Sequence, residues 1–493
     1  MQQYIIFIPI IIYLGLTFFI ALLANKHRTV TSSDIFIKEY FIGSRSMGGF
    51  ILAMSIIASY TSASSFIGGP GAAYEYGLSW VLLAMIQAPV AFLTLGIFGK
   101  RFAIMARRVN AVTLVDFLRV RYQSDILVVL CCIGLLTFFM AAMLAQFVGG
   151  ARLFQTITGF SYEYGLVIFV LTVTFYTVVG GFRAVVMTDA LQGIVMAISS
   201  ILILFVVIYS GGGVENCILT LKNIDPGLIT PTGPDGFLSP TLMFSFWILI
   251  GFGVLGLPQT AQKCMGYNNS YSMHKAMIVG TVVIGVMLLN IHLAGVFGRV
   301  IMPDLSIGDF VMPSLIIKLL PEFWAGVFIA GPLAAIMSTV DTMLLLASAV
   351  IVKDIYIHYK WKGDISFVSQ KHIKKISTGC TFLLGLLVFV LALDPPSLLV
   401  WINLFAFGGL EVVFLWPILF GIYWKKANAT GAICAIITGM ITFWSISLLS
   451  FSFGNVYSIV PSLLLSGIAF IIGSHHGQPT SKEILWLFWG EKE

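Results

Sequence analysis

Long apolar runs recur from one end of this sequence to the other, and they restrict its fold more than any other feature. A helix needs about 20 apolar residues to cross the hydrocarbon core of a bilayer. Hydrophobic residues make up 59% of the chain and charged residues only 10%, whereas a soluble domain usually carries about 25% charged residues. The sequence therefore predicts an all-α polytopic membrane protein.

The apolar runs divide the chain into candidate spans. By segment length we expect about 13 transmembrane helices. Their approximate positions are 4–24, 48–72, 79–99, 126–148, 163–182, 187–209, 242–262, 275–298, 321–350, 377–393, 398–422, 428–448 and 457–473. The spans between 163 and 209 are the hardest to separate, because only the short segment "VVGGFRAVVMTDA" connects them.

The distribution of Lys and Arg predicts the orientation of these spans. If the N-terminus lies outside, all but four of the 27 Lys and Arg residues fall on the inner side, and the outer ones are Arg152, Lys222, Arg299 and Lys318. Positive charge accumulates on the cytoplasmic side of membrane proteins. We therefore expect an outer N-terminus and a cytoplasmic C-terminus. Because positive charge follows the first apolar run, we expect a retained span and not a cleaved signal peptide. We also expect a bacterial-type plasma (inner) membrane as the location. The net charge of +6 then gives no reason to expect a nucleic-acid partner.

Several function classes lack their sequence signals. There is no G-x-x-x-x-G-K-[ST] loop for ATP-driven transport, and no helix carries paired acids or a His/Asp metal motif. The six cysteines lack metal or redox spacing. We expect a non-enzyme without an obligate protein partner. A secondary transporter is favoured, and the rival is a channel or a transporter-like sensor, for which the tail 474–493 leaves little room.

Two spans carry a dense Gly/Pro interruption. The second span contains "ASYTSASSFIGGPG" and the seventh span contains "WILIGFGVLGLPQTAQ". Interrupted helices at matching positions are typical of transporters with inverted repeats, and their unwound carbonyls bind cations. Because these spans are five apart, they would open two five-helix units. The predicted divisions are an extra helix 1–24, a first repeat 48–209, an inverted repeat 242–422, two helices in 428–473 and a cytoplasmic tail 474–493.

The segment "AAIMST" places two adjacent hydroxyls, Ser338 and Thr339, in an apolar helix. Each hydroxyl can bond the carbonyl one turn earlier in its own helix. Beside an unwound second span, the same hydroxyls can instead complete an oxygen site for a monovalent cation. Asp341 follows, either near that ion or near the inner exit.

These segments, with "FYTVVGGFRAVVMTDALQ" between them, resemble the sodium:solute symporter family over nearly the whole chain. The resemblance implies a LeuT-like core of 5+5 inverted helices, with one helix before it and two after. It also implies a sodium ion as the coupling ion. Matched by position, its ligands would be the carbonyls of Ala58, Thr61 and Ala335 and the hydroxyls of Ser338 and Thr339.

The solute is less determined by the residues. Within the family the resemblance favours sodium-coupled import of pantothenate, with another small carboxylate or an amino acid as the alternative. Coupling to protons also remains open. Tyr60 stands where proline-transporting members have an acidic residue, which argues against simple proline transport. Short hydroxyls and a glutamine amide suit the hydroxyls and amide of pantothenate, and the candidate residues are Ser62, Ser64, Ser65, Gln87, Trp247 and Gln259.

Four ionisable residues in or near the spans are functional hypotheses, because such residues are costly in lipid. Asp189 either lines the sodium exit or belongs to an inner loop. Arg152 is a candidate partner for the solute carboxylate or lies at the outer interface. His292 is favoured as a helix-packing residue, and Glu411 either belongs to a gate or pairs with backbone.

Overall fold

The computed structural model describes residues 5–26, 48–363, 368–394, 399–449 and 456–490, without the side chains of 24–26, 176, 179–184 and 449. Within these ranges the chain is helical and contains no strand. Among the described residues, nine helices are long and apolar enough to cross a membrane, or up to 11 if each of two bent pairs is one span. The predicted all-α polytopic fold is confirmed. The count of 13 stays a prediction, because Phe7–Leu23 and Tyr162–Phe175 are apolar but shorter.

The described helices range in length from 4 to 49 residues. The first part contains α1 Phe7–Lys26, α2 Gly49–Tyr60, α3 Gly69–Tyr76, α4 Leu78–Met85, α5 Val90–Leu93, α6 Lys100–Arg108, α7 Leu114–Tyr122, α8 Asp125–Thr158 and α9 Tyr162–Ser210. The second part contains α10 Val214–Ile224, α11 Pro240–Phe246, α12 Pro258–Met265, α13 Ser270–Ile301, α14 Val311–Leu319, α15 Glu322–Ala349, α16 His358–Trp361, α17 Gln370–Leu391, α18 Leu399–Tyr423, α19 Ala429–Leu449, α20 Ile459–His476 and α21 Lys482–Trp489.

Short π and 3-10 segments connect or extend several helices. The π segments are Ser64–Gly68, Thr94–Gly99, Trp247–Phe252 and Val350–Ile357, and the 3-10 segments are Pro226–Ile229, Pro234–Gly236, Gly253–Gly256 and Gly308–Phe310. Helix α9 runs continuously through the region in which the sequence predicts two spans. The predicted connection there contains no proline, the residue that most strongly interrupts a helix.

Both predicted interruptions are present. The segments Gly49–Tyr60 and Ser64–Tyr76 meet at 65°, and Pro240–Gly256 meets Pro258–Met265 at 42°. In the second pair the break falls at Leu257, which is extended with φ −76° and ψ 119°. The residue before a proline is disfavoured in helical conformation, so Pro258 accounts for this break.

The first break lies earlier than its Gly/Pro run suggested. Thr61 is extended, with φ −83° and ψ 123°, whereas the run from Gly68 to Gly71 is helical. These glycines instead permit close packing. A Cβ on Gly71 would lie 2.7 Å from the carbonyl carbon of Gly308, and one on Gly68 would lie 3.0 Å from the amide nitrogen of Val400. The run brings this part of the chain against the 3-10 turn Gly308–Phe310 and against α18.

Helix α15 lies at the centre of the protein. Within its apolar stretch 94% of the residues are buried inside the protein, a larger share than in any other described span. It packs against α1, α2, α8 and α9. This position places the hydroxyls of α15 against the interrupted end of α2, where the candidate ion site lies.

Candidate ion and solute sites

Five oxygen atoms from α15 and the end of α2 converge in the interior. They are the carbonyl oxygens of Ala58, Thr61 and Ala335 and the hydroxyl oxygens of Ser338 and Thr339, and we call them the oxygen cluster. The Ser338 hydroxyl donates to Ala58 at 2.7 Å and Ala335 at 3.1 Å. The Thr339 hydroxyl donates to Thr61 at 3.1 Å and Ala335 at 3.0 Å. These are the atoms that the resemblance implied, and the structure brings them together.

The break in the first interrupted helix explains why the Ala58 carbonyl points at α15. In a continuous helix the Ser62 N–H would bond this carbonyl. Here the Ser62 N–H donates to the Ser65 hydroxyl at 3.3 Å, and the Ala63 N–H donates to the Gln146 side chain at 2.7 Å. Gln146 on α8, which the sequence did not single out, thus satisfies a backbone donor that the break exposes.

The chemistry of the oxygen cluster suits a hard monovalent cation. Carbonyl and hydroxyl oxygens are ligands for hard cations, and a dedicated Ca²⁺ site normally adds carboxylates. None of the five oxygens is charged. Asp341 follows on α15, is fully buried, and accepts a weak hydrogen bond from Thr342 at 3.5 Å.

A small polar cavity adjoins the oxygen cluster. Four predicted solute residues line it: Ser62, Ser64, Ser65 and Gln87. The rest of its wall consists of Tyr60, Gly69, Trp80, Ala84, Ile250, His292, Val400, Asn403, Leu404 and Phe407. The cavity encloses about 40 Å³, which is room for a few water molecules. A larger solute therefore requires the surrounding helices to move apart.

His292 contributes a hydrogen-bond acceptor to this cavity. Its Nδ1 atom lies 2.6 Å from the Leu288 carbonyl oxygen, so Nδ1 must carry a hydrogen, and in the neutral imidazole Nε2 is then an acceptor. A Cβ on Gly69 would collide with the imidazole ring. The sequence favoured a packing role for His292, whereas the structure places it in the cavity wall, because α13 faces the first interrupted helix.

Two other candidates lie outside the cavity wall. Trp247 is 49% exposed and belongs to the π segment Trp247–Phe252. Gln259 is buried at the start of α12, and its side-chain oxygen has no hydrogen-bond partner within the described ranges. The structure does not bring either side chain to the four clustered candidates.

Arg152 is likewise absent from the cavity wall. Its guanidinium forms a buried ion pair with Asp309, in the 3-10 turn Gly308–Phe310. The Leu399 N–H also donates to Asp309, at 3.2 Å. Burial raises the pKa of the Asp309 carboxyl, and the Arg152 charge opposes that increase. This contact connects α8, the turn Gly308–Phe310 and the start of α18.

Asp189 lies in a second buried ion pair, which contacts α2 at Ser55, three residues before Ala58 of the oxygen cluster. Its carboxylate pairs with Lys263 on α12, and both side chains are fully buried. The Ser55 hydroxyl donates to Asp189 at 2.9 Å and accepts from Lys263 at 2.7 Å. The sequence predicted for Lys263 only a place among the positive charges of the inner side. Its pairing depends on the bend before α12, which sequence spacing does not reveal.

The interrupted helices, the oxygen cluster and the adjoining cavity define an ion-coupled membrane transporter. The model of the sodium:solute symporter family matches residues 40–439, and the chain belongs to this family.

Among structures, the fold resembles a Na⁺-coupled sialic acid symporter in a substrate-bound outward-open state. The TM-score is 0.79 at 19% identity, covering 97% of this chain and 99% of that one. The fold is also similar to MhsT in complex with L-phenylalanine, with a TM-score of 0.52 at 15% identity, covering 86% of this chain and 97% of that one. The predicted LeuT-like class is confirmed.

Relatives of known activity match over almost the full length. The chain is 49% identical over 472 residues to the sodium/pantothenate symporter of Escherichia coli (strain K12), covering 96% of both chains. It is 48% identical over 473 residues to the sodium/pantothenate symporter of Haemophilus influenzae, again covering 96% of both. The osmoregulated proline transporter OpuE of Bacillus subtilis is 29% identical over 98% of this chain and 97% of its own length.

Proposed function

We propose that this protein imports pantothenate across the plasma membrane by sodium-coupled symport with alternating access. The observation that carries the proposal is the oxygen cluster, in which an interrupted helix and α15 contribute uncharged oxygens at hydrogen-bond distance from one another. A sodium ion at this position would replace the hydroxyl hydrogens as partner of the carbonyls. The names of the sodium/pantothenate symporters that match almost the full length of the chain support pantothenate as the solute.

The cavity chemistry supports a polar solute. Pantothenate carries hydroxyls, an amide and a carboxylate, and Ser62, Ser64, Ser65 and Gln87 offer hydroxyl and amide partners around one space. We propose that the helices move apart to admit it. Trp247, Gln259 and Arg152 remain proposed contacts for other conformations of the cycle.

Sodium binding would act by joining two structural elements. The carbonyls belong to the interrupted helix and the hydroxyls to α15, so a bound ion fixes one against the other and stabilises the outward-open form. No bond is made or broken. On α2, Ser55 precedes Ala58 by three residues and bonds Asp189, which supports our proposal that Asp189 lies on the inner path of the ion.

We further propose the domain division and the orientation. The extra helix is 1–24, the repeats are 48–209 and 242–422, the last two helices lie in 428–473, and 474–493 is a cytoplasmic tail. The N-terminus would lie outside. The bend in each proposed repeat, at Thr61 and at Leu257, supports equivalent positions in the two units.

The test is uptake of labelled pantothenate by proteoliposomes that contain the purified protein. We expect accumulation above the external concentration under an inward sodium gradient, and loss of accumulation when the gradient is collapsed. If another small carboxylate or an amino acid inhibits this uptake more strongly than unlabelled pantothenate does, that compound and not pantothenate is the preferred solute. Equilibration without accumulation would identify a channel, and accumulation under a proton gradient alone would exclude sodium coupling.

A further inference from the structure

A buried acid lies on the cavity-lining face of α18 and has no role in the proposed ion or solute sites. Glu411 is fully buried, and neither of its carboxyl oxygens has a hydrogen-bond partner within the described residues. An ionised carboxylate without partners is strongly disfavoured in the membrane interior. The isolated environment therefore favours the protonated acid.

The position of Glu411 relates it to the solute cavity. Val400, Asn403, Leu404 and Phe407 on α18 line the cavity. Residues three and four apart share one face of a helix, so Glu411 continues this stripe one turn beyond Phe407. The acid thus lies next to the end of the cavity.

The second interrupted helix packs closely on the same acid. A Cβ on Gly253 would collide with the Glu411 carboxyl group, and a Cβ on Gly256 would lie 2.9 Å from the Leu415 amide nitrogen. Both glycines belong to the 3-10 segment that ends at the Leu257 break. Ile250, one turn before Gly253, lines the cavity. The bend that would move on opening therefore covers the acid.

The titratable neighbours of Glu411 are phenols. Tyr60, in the cavity wall, and Tyr457, before α20, lie within electrostatic reach of its carboxyl group. Neither phenol carries positive charge, and no Lys, Arg or His among the described residues forms an ion pair with Glu411. A proton is therefore the cation that best neutralises this group.

We propose that Glu411 is a proton-binding site coupled to opening of the solute cavity. With the cavity closed, the acid holds its proton beneath the Gly253–Gly256 segment. When the interrupted helix moves and water enters, the carboxylate becomes hydrated and the proton leaves to water. Closure around the solute takes the proton up again. Because binding effects are reciprocal, a lower pH should strengthen apparent solute binding. The inference rests on the proposed transport function.

The first test compares wild type with Glu411→Gln in sodium-driven pantothenate uptake from pH 6 to 8, with Glu215→Gln, an exposed residue of α10, as control. Pantothenate remains ionised in this range, since ordinary carboxyl groups titrate near pH 4. We expect the wild-type and control KM to rise with pH, by at most about tenfold per unit for one linked proton. The E411Q variant should keep a low, pH-independent KM and an unchanged Hill slope for sodium.

The second test needs no transport. Infrared spectra of the purified protein at neutral pH should show the carbonyl band of a protonated carboxylic acid, and that band should be lost in E411Q but kept in E215Q. Equal bands in wild type and E411Q would overturn the proposal. A wild-type pH dependence of KM in E411Q would also overturn it. A reduced sodium Hill slope in E411Q would overturn it as well and would assign Glu411 to a second sodium ion. Absence of any wild-type uptake would refute the proposed function while the infrared result still decides the protonation of Glu411.

Discussion

The Ser338 hydroxyl donates a 2.7 Å hydrogen bond to the Ala58 carbonyl, across 280 positions of sequence. A hydroxyl in the middle of one helix thus contacts a carbonyl that the end of another helix has exposed. This contact joins the interrupted helix to α15 at the proposed sodium site. Any ion that binds both oxygens changes how tightly these two elements are held together.

Removing the hydroxyls of the oxygen cluster should weaken sodium activation. For Ser338→Ala and Thr339→Ala we expect the sodium concentration for half-maximal uptake to rise about tenfold each, equivalent to ~1.4 kcal/mol. Protein abundance in the membrane should change little. The matched control is Thr381→Ala on α17, a buried threonine that bonds the Ser377 carbonyl at 2.9 Å. Wild-type sodium activation in the S338A/T339A double variant would contradict the assignment of these two hydroxyls as sodium ligands.

Removing the charge of either partner in the Asp189–Lys263 pair should destabilise the protein. Asp189→Asn or Lys263→Met alone leaves a buried charge without its opposite, which typically costs about 3–5 kcal/mol. The D189N/K263M double variant removes both charges and should be more stable than either single variant. Thermal unfolding in detergent measures the order. Additive losses in the double variant would show that the two charges do not stabilise each other.

Arg152 and Asp309 should give the same phenotype if their ion pair is their main role. We expect Arg152→Gln and Asp309→Asn each to impair uptake, because either change leaves a buried charge between α8 and the start of α18. The R152Q/D309N variant should recover part of the activity. The measurement is the initial rate over a range of pantothenate concentrations. If R152Q alone raises KM while D309N leaves it unchanged, Arg152 instead contacts the solute carboxylate.

His292 should affect solute binding without affecting sodium. His292→Phe removes the Nε2 acceptor from the cavity wall. Loss of one hydrogen bond to a solute hydroxyl or amide should weaken binding by ~1 kcal/mol and raise the pantothenate KM several-fold. The sodium dependence at saturating pantothenate should stay unchanged. His274→Phe, at an exposed position of α13, is the control. An unchanged KM in H292F would return His292 to a packing role.

The sequence by itself determined the class of fold and much of the proposed ion site. Apolar run length required membrane helices because lipid offers no partner for backbone groups. The two interruptions were visible because glycine and proline disfavour continuous helix. The hydroxyls of Ser338 and Thr339 stood out because their helix is otherwise apolar.

Only the tertiary structure decided where each interruption falls and which groups meet across it. The first break lies at Thr61 rather than in the Gly/Pro run, since Ser65 and Gln146 supply acceptors for the N–H groups it exposes. The pairing of Asp189 with Lys263, and the placement of His292 in the cavity wall, depend on helices far apart in sequence. Such contacts follow from how helices pack, and neither spacing nor composition encodes them locally.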